Sequence, residues 1–441
     1  MKVIHVLNSY LPNHVAGTEV YVSALVRELK KRNIESKIII PNYGNAFDEK
    51  YIFEETLIFK YAEPTIADRD VIIGNKAPKG LANFIAFLQD EQPDIIHFHE
   101  LAGSIGIGLF HLEAVKNSRF KSIMTFHLAK YTCKTGTLMY MNEIKCNGVI
   151  KELECSKCWL NDIGEKGLRL SLIKNAYTLL HHLNIDARFL KNRIGTAMSF
   201  PKIIADIRKN ILKIEKNTHR FIILTEWYKD ILLRNGISES HLSIITQGIP
   251  NIDVHRIVTK NSSCKLRLVF IGRINHFKGL DLLLGALNGI STESVSLDIY
   301  GAVTDTQYVK DCIKISKGLS NIVWKGTIPP NLVIDTLKCY DLMCIPSSVS
   351  EMGPFVLKEA FAAGIPVLGS NVYGNAEQII EGENGWLFKF KNVSDLKSKL
   401  EYLISNRELM ENAKHNLRAI KSFETVAEEH EKLYKELTEF M

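Results

Sequence analysis

The stretch "DLMCIPSSVSEMGPFVLKEAFAAGIPVLGSN", residues 341–371, reads as strand, loop, helix and strand in turn. The runs "DLMCIPS" (341–347) and "IPVLGS" (365–370) are short and apolar, as buried parallel strands are. Between them, Gly353 and Pro354 give a start signal, with Pro suited to the first helical position because its missing N–H would be unsatisfied there anyway. The pattern predicts a helix over 355–363. Its positive end faces the carboxyl ends of the strands, where open α/β sheets bind ligands, and such an end suits a phosphate. Glu351 stands just before that helix and Glu359 in its second turn. Each is placed to accept hydrogen bonds from hydroxyls on either side of a bound diphosphate. The plainer alternative is one loop acid and one solvated helix acid.

Outward from this unit the same alternation fills both halves of the chain. In the first half the apolar runs fall at 3–7, 36–40, 94–98, 122–126, 220–224 and 242–246. A helix over 18–31 places Val22, Leu25, Val26 and Leu29 on one face. In the second half the runs fall at 266–272, 296–301, 321–326, 341–347 and 365–370. Alternation of this kind argues parallel sheets covered on both faces. Residues 247–264 lack a sustained period and hold Gly, Pro, Asn and Ser, the marks of a linker. The expected architecture is α/β: two Rossmann-like, doubly wound parallel-sheet domains facing across a cleft. Their expected bounds are 1–250 and 251–422, with a helix over 423–441 returning towards the first domain. Two stretches of the first half break the alternation: a cysteine-bearing insert at 128–160 and a basic helical region at 165–219.

The totals agree with this reading. The chain has 441 residues, 46% hydrophobic and 24% charged, which is globular composition on the scale of two domains. A formal net charge of +6 is too mild to argue nucleic-acid binding, but is compatible with an anionic substrate or membrane surface. The opening "MKVIHVLNSYLPN" reads as a first strand and not a signal peptide, and the run "LAGSIGIGLFHLEAV" is too short to span a bilayer. A cytoplasmic protein is expected, with its eight cysteines reduced unless they bind metal.

Two further stretches suit an anionic ligand. "FIGRINHFKGLDLLLGAL" (270–287) sets Arg273 at a strand's end and Lys278 ahead of a helix, two cations able to stabilise a departing diphosphate. "HVAGTEVYVSALVREL" (14–29) opens a helix with Gly17 in a turn that lets a ligand approach the backbone. Either, taken singly, is also an ordinary basic loop or tight turn.

Together "AGTEVYV", "FIGRINHFKGLDLLL", "VWKGTIPP", the Glu-x7-Glu segment and "EGENGWLF" make the chain resemble the retaining GT-B glycosyltransferases of group 1. The resemblance covers the second half almost end to end and the first in patches. It implies a nucleotide-diphosphate sugar as donor and a glycan or polyprenyl-linked acceptor in cell-surface polysaccharide assembly, with no catalytic metal. It also implies that Glu351 contacts the donor sugar, Glu359 the ribose, and Arg273 and Lys278 the diphosphate. His127, ending "SIMTFH", matches the family's histidine beside the reacting sugar, and Gly17 and Gly353 belong to the donor-binding set. The chain departs from the family pattern at Ala16, at Leu128 and at Pro354. An epimerase of the same fold is the alternative reading.

Cys133, Cys146, Cys155 and Cys158 cluster in the insert, and the terminal Cys-x2-Cys is a half-site for structural zinc. Unliganded thiols and a redox role are the other readings. Cys264, Cys312, Cys339 and Cys344 read as core filler. "IIHFHE" puts His97 and His99 on one strand face, where with His127 they could hold a catalytic metal. The basic region could meet anionic lipid through Lys and Arg flanking apolar residues, or be a solvated helical face. Nucleic acid is not an expected partner, because the insert lacks clustered aromatic and basic residues.

Overall fold

The computed structural model describes residues 1–64, 69–72, 76–101, 106–190, 192–249, 265–417 and 419–439. Most of the expected linker, with Cys264, lies outside them. The chain divides into two compact units. One is built from Met1–Gly136, Asn147–Gln247 and Phe423–Met441, the other from Thr137–Cys146 and Gly248–Ser422.

The first unit holds an eight-stranded sheet in the order Leu242–Ile244, Arg220–Ile223, Ser122–Phe126, Ile95–His99, Lys2–Val6, Glu35–Tyr43, Thr56–Glu63 and Glu49–Phe53. Its strands run parallel except the last, which pairs antiparallel with its neighbour. Every residue of Ile95–His99 and of Ser122–Phe126 is buried, so these strands carry no polar alternation. The helix Gly17–Lys31 buries Tyr21, Val22, Leu25, Val26 and Leu29. The helix Phe423–Glu439 buries Phe423, Val426, His430, Leu433 and Tyr434, and Glu431 pairs with Arg32 at 3.0 Å.

The basic region is a set of helices: Gly167–His182, Arg193–Met198 and Phe200–Asn217. With Glu152–Asp162 they pack around Leu160, Tyr177 and Phe200, and Trp159 stacks on Phe200 at 3.7 Å between centroids. The helix Gly167–His182 turns Tyr177 inward, yet Leu168, Leu172 and Leu179 are 80%, 62% and 60% exposed, and Leu183 at its end is 59% exposed. At 3.6 residues per turn these four leucines fall on one outward face. No helix among the described residues is long and apolar enough to cross a membrane.

The second unit holds a six-stranded parallel sheet in the order Ile322–Gly326, Val295–Tyr300, Leu266–Ile271, Leu342–Ile345, Val367–Ser370 and Gly385–Phe388. In chain order the strands therefore run third, second, first, fourth, fifth, sixth, the doubly wound order with its reversal between the first and fourth. Helix Leu280–Leu287 seals one face through Leu283, Leu284 and Leu287. Helix Phe355–Ala362 seals the other through Leu357, Ala360 and Phe361. Cys312 and Cys344 lie inside this unit as core residues, but Cys339 is exposed at a helix end and is no filler.

Thr137–Cys146, expected as part of the first domain's insert, belongs to the second unit. Its short hairpin, Met139–Tyr140 against Ile144–Lys145, is anchored where the Ser350 N–H donates to Thr137 O at 3.0 Å and Lys391 donates to Asn142 at 2.9 Å.

At the reversal of the second sheet two strand ends come into backbone contact. Gly279 has φ +66°, and a Cβ there would sit 2.0 Å from Pro346 O. The Ser348 N–H donates to Phe277 O at 2.8 Å beside it. Gly279→Ala should therefore cost more than about 2 kcal/mol, combining a left-handed conformation with a backbone clash. Gly318→Ala, at φ +91° with nothing within 4 Å, should cost only the backbone term of about 1 kcal/mol. Urea midpoints of the two variants test this, and equal losses would refute it.

Candidate functional site

The reversal point of the second sheet gathers Arg273, Lys278, Glu351, Gly353 and Glu359 from the residues singled out in the sequence. The first strand ends at Ile271, and the chain then carries Arg273 and the short turn His276–Lys278 before its helix. The fourth strand ends at Ile345 and leads into the loop with Ser347, Glu351 and Gly353. The contact at Gly279 brings these two loops together, and Lys278 donates to Glu351 Oε1 at 2.6 Å.

Glu351 is held from several sides. The Ser347 hydroxyl donates to the same Oε1 at 2.7 Å, and the Glu351 N–H donates to Tyr373 O at 2.9 Å. Gly374, at φ +88°, leaves no space for a Cβ, which would lie 2.0 Å from Glu351 O. Burial alone would raise the Glu351 carboxyl, but the Lys278 charge and hydrogen bond, Ser347 and the charge of Arg273 outweigh it and hold the carboxyl below its usual range. Glu351 is thus an anion, and among the described residues its Oε1 takes both side-chain hydrogen bonds, leaving Oε2 for a ligand. Arg273 is exposed.

Gly353 has φ +92°, a conformation in the range glycine favours, and it turns the chain into the helix Phe355–Ala362. Pro354 is the N-cap of that helix, with φ −64° and ψ 128°, rather than its first residue. The extended ψ puts it just outside the helix, and Phe355 opens the first turn. Glu359 lies in the second turn, half-buried, and burial pushes its carboxyl up to about 7. Its neighbour Lys358 is brought down to about 8, first by burial and then by the charge of Lys421.

The first unit sets His127 at the end of the strand Ser122–Phe126, 7% exposed. Its N–H donates to Glu100 Oε1 at 2.9 Å, and its ring Nε2 meets His99 Nδ1 at 3.2 Å. Glu100 has φ +82°, is buried, and pairs with Lys130 at 3.0 Å. Burial raises its carboxyl against the pull of Lys130 and of the backbone N–H groups of His127 and Leu128. Gly17 is the first residue of its helix, with Ala16 as the N-cap. The first turn of the same helix carries Glu19, which is buried, accepts from Ser9 Oγ at 3.1 Å and from His14 Nδ1 at 3.0 Å, and has no partner for Oε2 among the described residues. Sequence reasoning passed over Glu19 and Glu100, although each stands in a quoted motif, "AGTEVYV" and "IIHFHE". A buried acid on a glycine turn or at a strand end was the available signal.

The cysteines divide between the units, with Cys146 in the second and the other three in the first. Among the described residues the group whose ligand atoms all lie within 4.8 Å of one another is His5, His97 and His99, without His127.

Residues 252–419 match the model of glycosyl transferases group 1, and residues 15–140 that of glycosyltransferase family 4. The chain belongs to the GT-B glycosyltransferases of group 1, and its two sheets are the two Rossmann-like domains of that fold. It is 27% identical over 216 residues to an uncharacterized glycosyltransferase of Methanocaldococcus jannaschii, a match covering 48% of this chain and 55% of that one. Sucrose-phosphate synthase from Thermosynechococcus elongatus superposes with a TM-score of 0.66 at 15% identity, covering 100% of both chains. Anabaena HepE in complex with UDP and glucose superposes with a TM-score of 0.64 at 12% identity, covering 99% of this chain and 100% of that one.

Glu359 supplies a proton-linked prediction. Its carboxyl sits at about 7 in the free protein, and hydroxyls donating to it would favour the anion and lower that value. A bound state holding fewer protons binds more tightly as pH rises, so the affinity of a ligand whose hydroxyls donate to Glu359 should increase up to about pH 7 and level off. Calorimetry at pH 7 in buffers of different ionisation enthalpy should register proton release on binding. Glu359→Gln should abolish it; release persisting in that variant would place the linkage elsewhere.

Proposed function

We propose that the protein transfers a sugar from a nucleoside-diphosphate donor to a glycan or lipid-linked acceptor of the cell surface, with retention at the anomeric carbon. The observation that carries the reading is the Lys278–Glu351 pair at the sheet reversal, with Arg273 beside it and Glu359 in the following helix. The UDP and glucose bound by HepE support a nucleotide sugar as the donor class.

The chemistry follows from the charges. In the free protein one Lys278 N–H is committed to Glu351, which leaves two for a phosphate. With Arg273 it stabilises the diphosphate as the anomeric C–O bond breaks. The anionic Glu351 accepts from sugar hydroxyls, Glu359 accepts from ribose hydroxyls, and His127 stands beside the reacting sugar. The acceptor hydroxyl forms the new C–O bond on the face the diphosphate leaves, and its proton passes to a phosphate oxygen of the leaving group. Glu351→Gln should lower kcat about tenfold or more with little change in UDP affinity, because its contacts strengthen as charge develops on the sugar. Proton NMR of the fresh product reads the anomeric outcome. Inverted configuration, or full activity in the Glu351 variant, would overturn the assignment.

The acceptor side of the proposal draws on the helix Gly167–His182. It is apolar inward, through Tyr177, and outward, through Leu168, Leu172, Leu179 and Leu183. Lys166 and Arg169 are exposed beside the outward leucines. An apolar face flanked by cations fits the surface of an anionic bilayer, where a polyprenyl-linked acceptor resides. The protein should co-sediment with phosphatidylglycerol vesicles more strongly at low salt than at high salt. Replacing Leu168, Leu172 and Leu179 together by Ser should remove the binding while leaving the melting temperature unchanged. Equal sedimentation of that variant would refute the docking face.

A further inference from the structure

A line of histidines runs inward from His127 through the core of the first unit. His5 lies opposite His97 in the register of the strands Lys2–Val6 and Ile95–His99, and His99 follows two residues along on the same face. His127 Nε2 meets His99 Nδ1 at 3.2 Å, and His99 Nε2 meets His5 Nδ1 at 2.9 Å. The far end is closed, because His5 Nε2 is buried with no hydrogen-bond partner among the described residues. His97 stands beside the line, its two nitrogens bonded to the Tyr434 hydroxyl and to Thr125 Oγ1, each at 2.7 Å.

The rings are neutral. Burial brings His5 and His127 down to about 3, with a smaller contribution from His430, and holds His97 and His99 well below the ordinary range. A neutral imidazole has one N–H and one bare nitrogen, so the two links share a single direction. Were His127 the first donor, the last proton would sit on His5 Nε2 as a buried N–H with nothing to receive it. Run the other way, His5 Nδ1–H donates to His99 Nε2, and His99 Nδ1–H donates to His127 Nε2. The unmatched atom is then a bare nitrogen, and orphaned buried N–H groups are the rarer defect.

We propose that His99, backed by His5, is a positioning residue that holds His127 as the tautomer protonated at Nδ1, so that His127 offers an N–H to a ligand hydroxyl. The step from tautomer to turnover rests on the reading that His127 stands beside the donor sugar; the tautomer itself does not. A metal on His5, His97 and His99 is the competing use of the same nitrogens, which lie within 4.8 Å of one another. The groups bonded to the three are His127, Tyr434 and Thr125, none an anion, so a divalent ion would bring uncompensated charge into the core.

Long-range proton–nitrogen NMR of the full chain labelled with 15N-histidine reads the tautomer in the absence of substrate. The expected result is His127 protonated at Nδ1 and bare at Nε2, with His99 protonated at Nδ1. His99→Phe should admit the other His127 tautomer and lower kcat about tenfold, with KM for the donor moving less than about twofold. His99→Asn, whose amide takes the place of Nδ1, should restore both. If His99→Phe does not fold, His5→Asn should keep the tautomer and His5→Leu should loosen it. A proton on His127 Nε2 in the unaltered protein, or a tautomer indifferent to these changes, overturns the proposal. So does stoichiometric zinc retained after loading with zinc alone and lost in His5→Asn. If no sugar is transferred at all, the NMR result still decides the tautomer, and the functional reading alone falls.

Discussion

Where the second sheet reverses, two loops from opposite halves of the winding lie backbone against backbone. Glycine at 279 is what permits it: a side-chain carbon there would overlap Pro346 O. That approach sets the Ser348 N–H against Phe277 O and brings Lys278 within 2.6 Å of Glu351. The depressed carboxyl of Glu351, the commitment of one Lys278 N–H and the path of the chain into the helix Phe355–Ala362 all follow from this contact. A cation and an anion so close in a part-buried loop would be expensive to hold if the backbone did not impose it.

Much of this was legible in the sequence because parallel strands buried on both faces appear as unbroken apolar runs. Ile95–His99 and Ser122–Phe126, buried at every position, announced themselves in that way. The Glu-x7-Glu segment placed its two acids correctly, one in the loop and one in the second helical turn. The hairpin Glu49–Phe53 with Thr56–Glu63 was not seen. Its outer strand alternates between half-buried and exposed at the sheet's edge and has no apolar run to signal it. Nor could the division of the insert be read, since Thr137–Cys146 joins the second unit through backbone bonds such as Ser350 to Thr137.

The histidine line was hidden for a different reason. "IIHFHE" suggested His97 and His99 with His127, but His5 enters only through the pairing of strands whose residues lie far apart in the chain. His430 and Tyr434 come from still further along. Register and return of the chain are tertiary facts, and no local period encodes them.

That return has a consequence for how the protein is made. The helix Phe423–Glu439 provides the Tyr434 hydroxyl to His97 and sets His430 against Tyr21 at 3.3 Å, both inside the first unit. Synthesis runs from the amino end, so the whole second unit is synthesised before this helix exists. During that interval the buried histidines lack their cover and the inner face of Gly17–Lys31 is bare. The first unit, begun earliest, is thus completed after the second, and until then the nascent chain carries an open apolar seam.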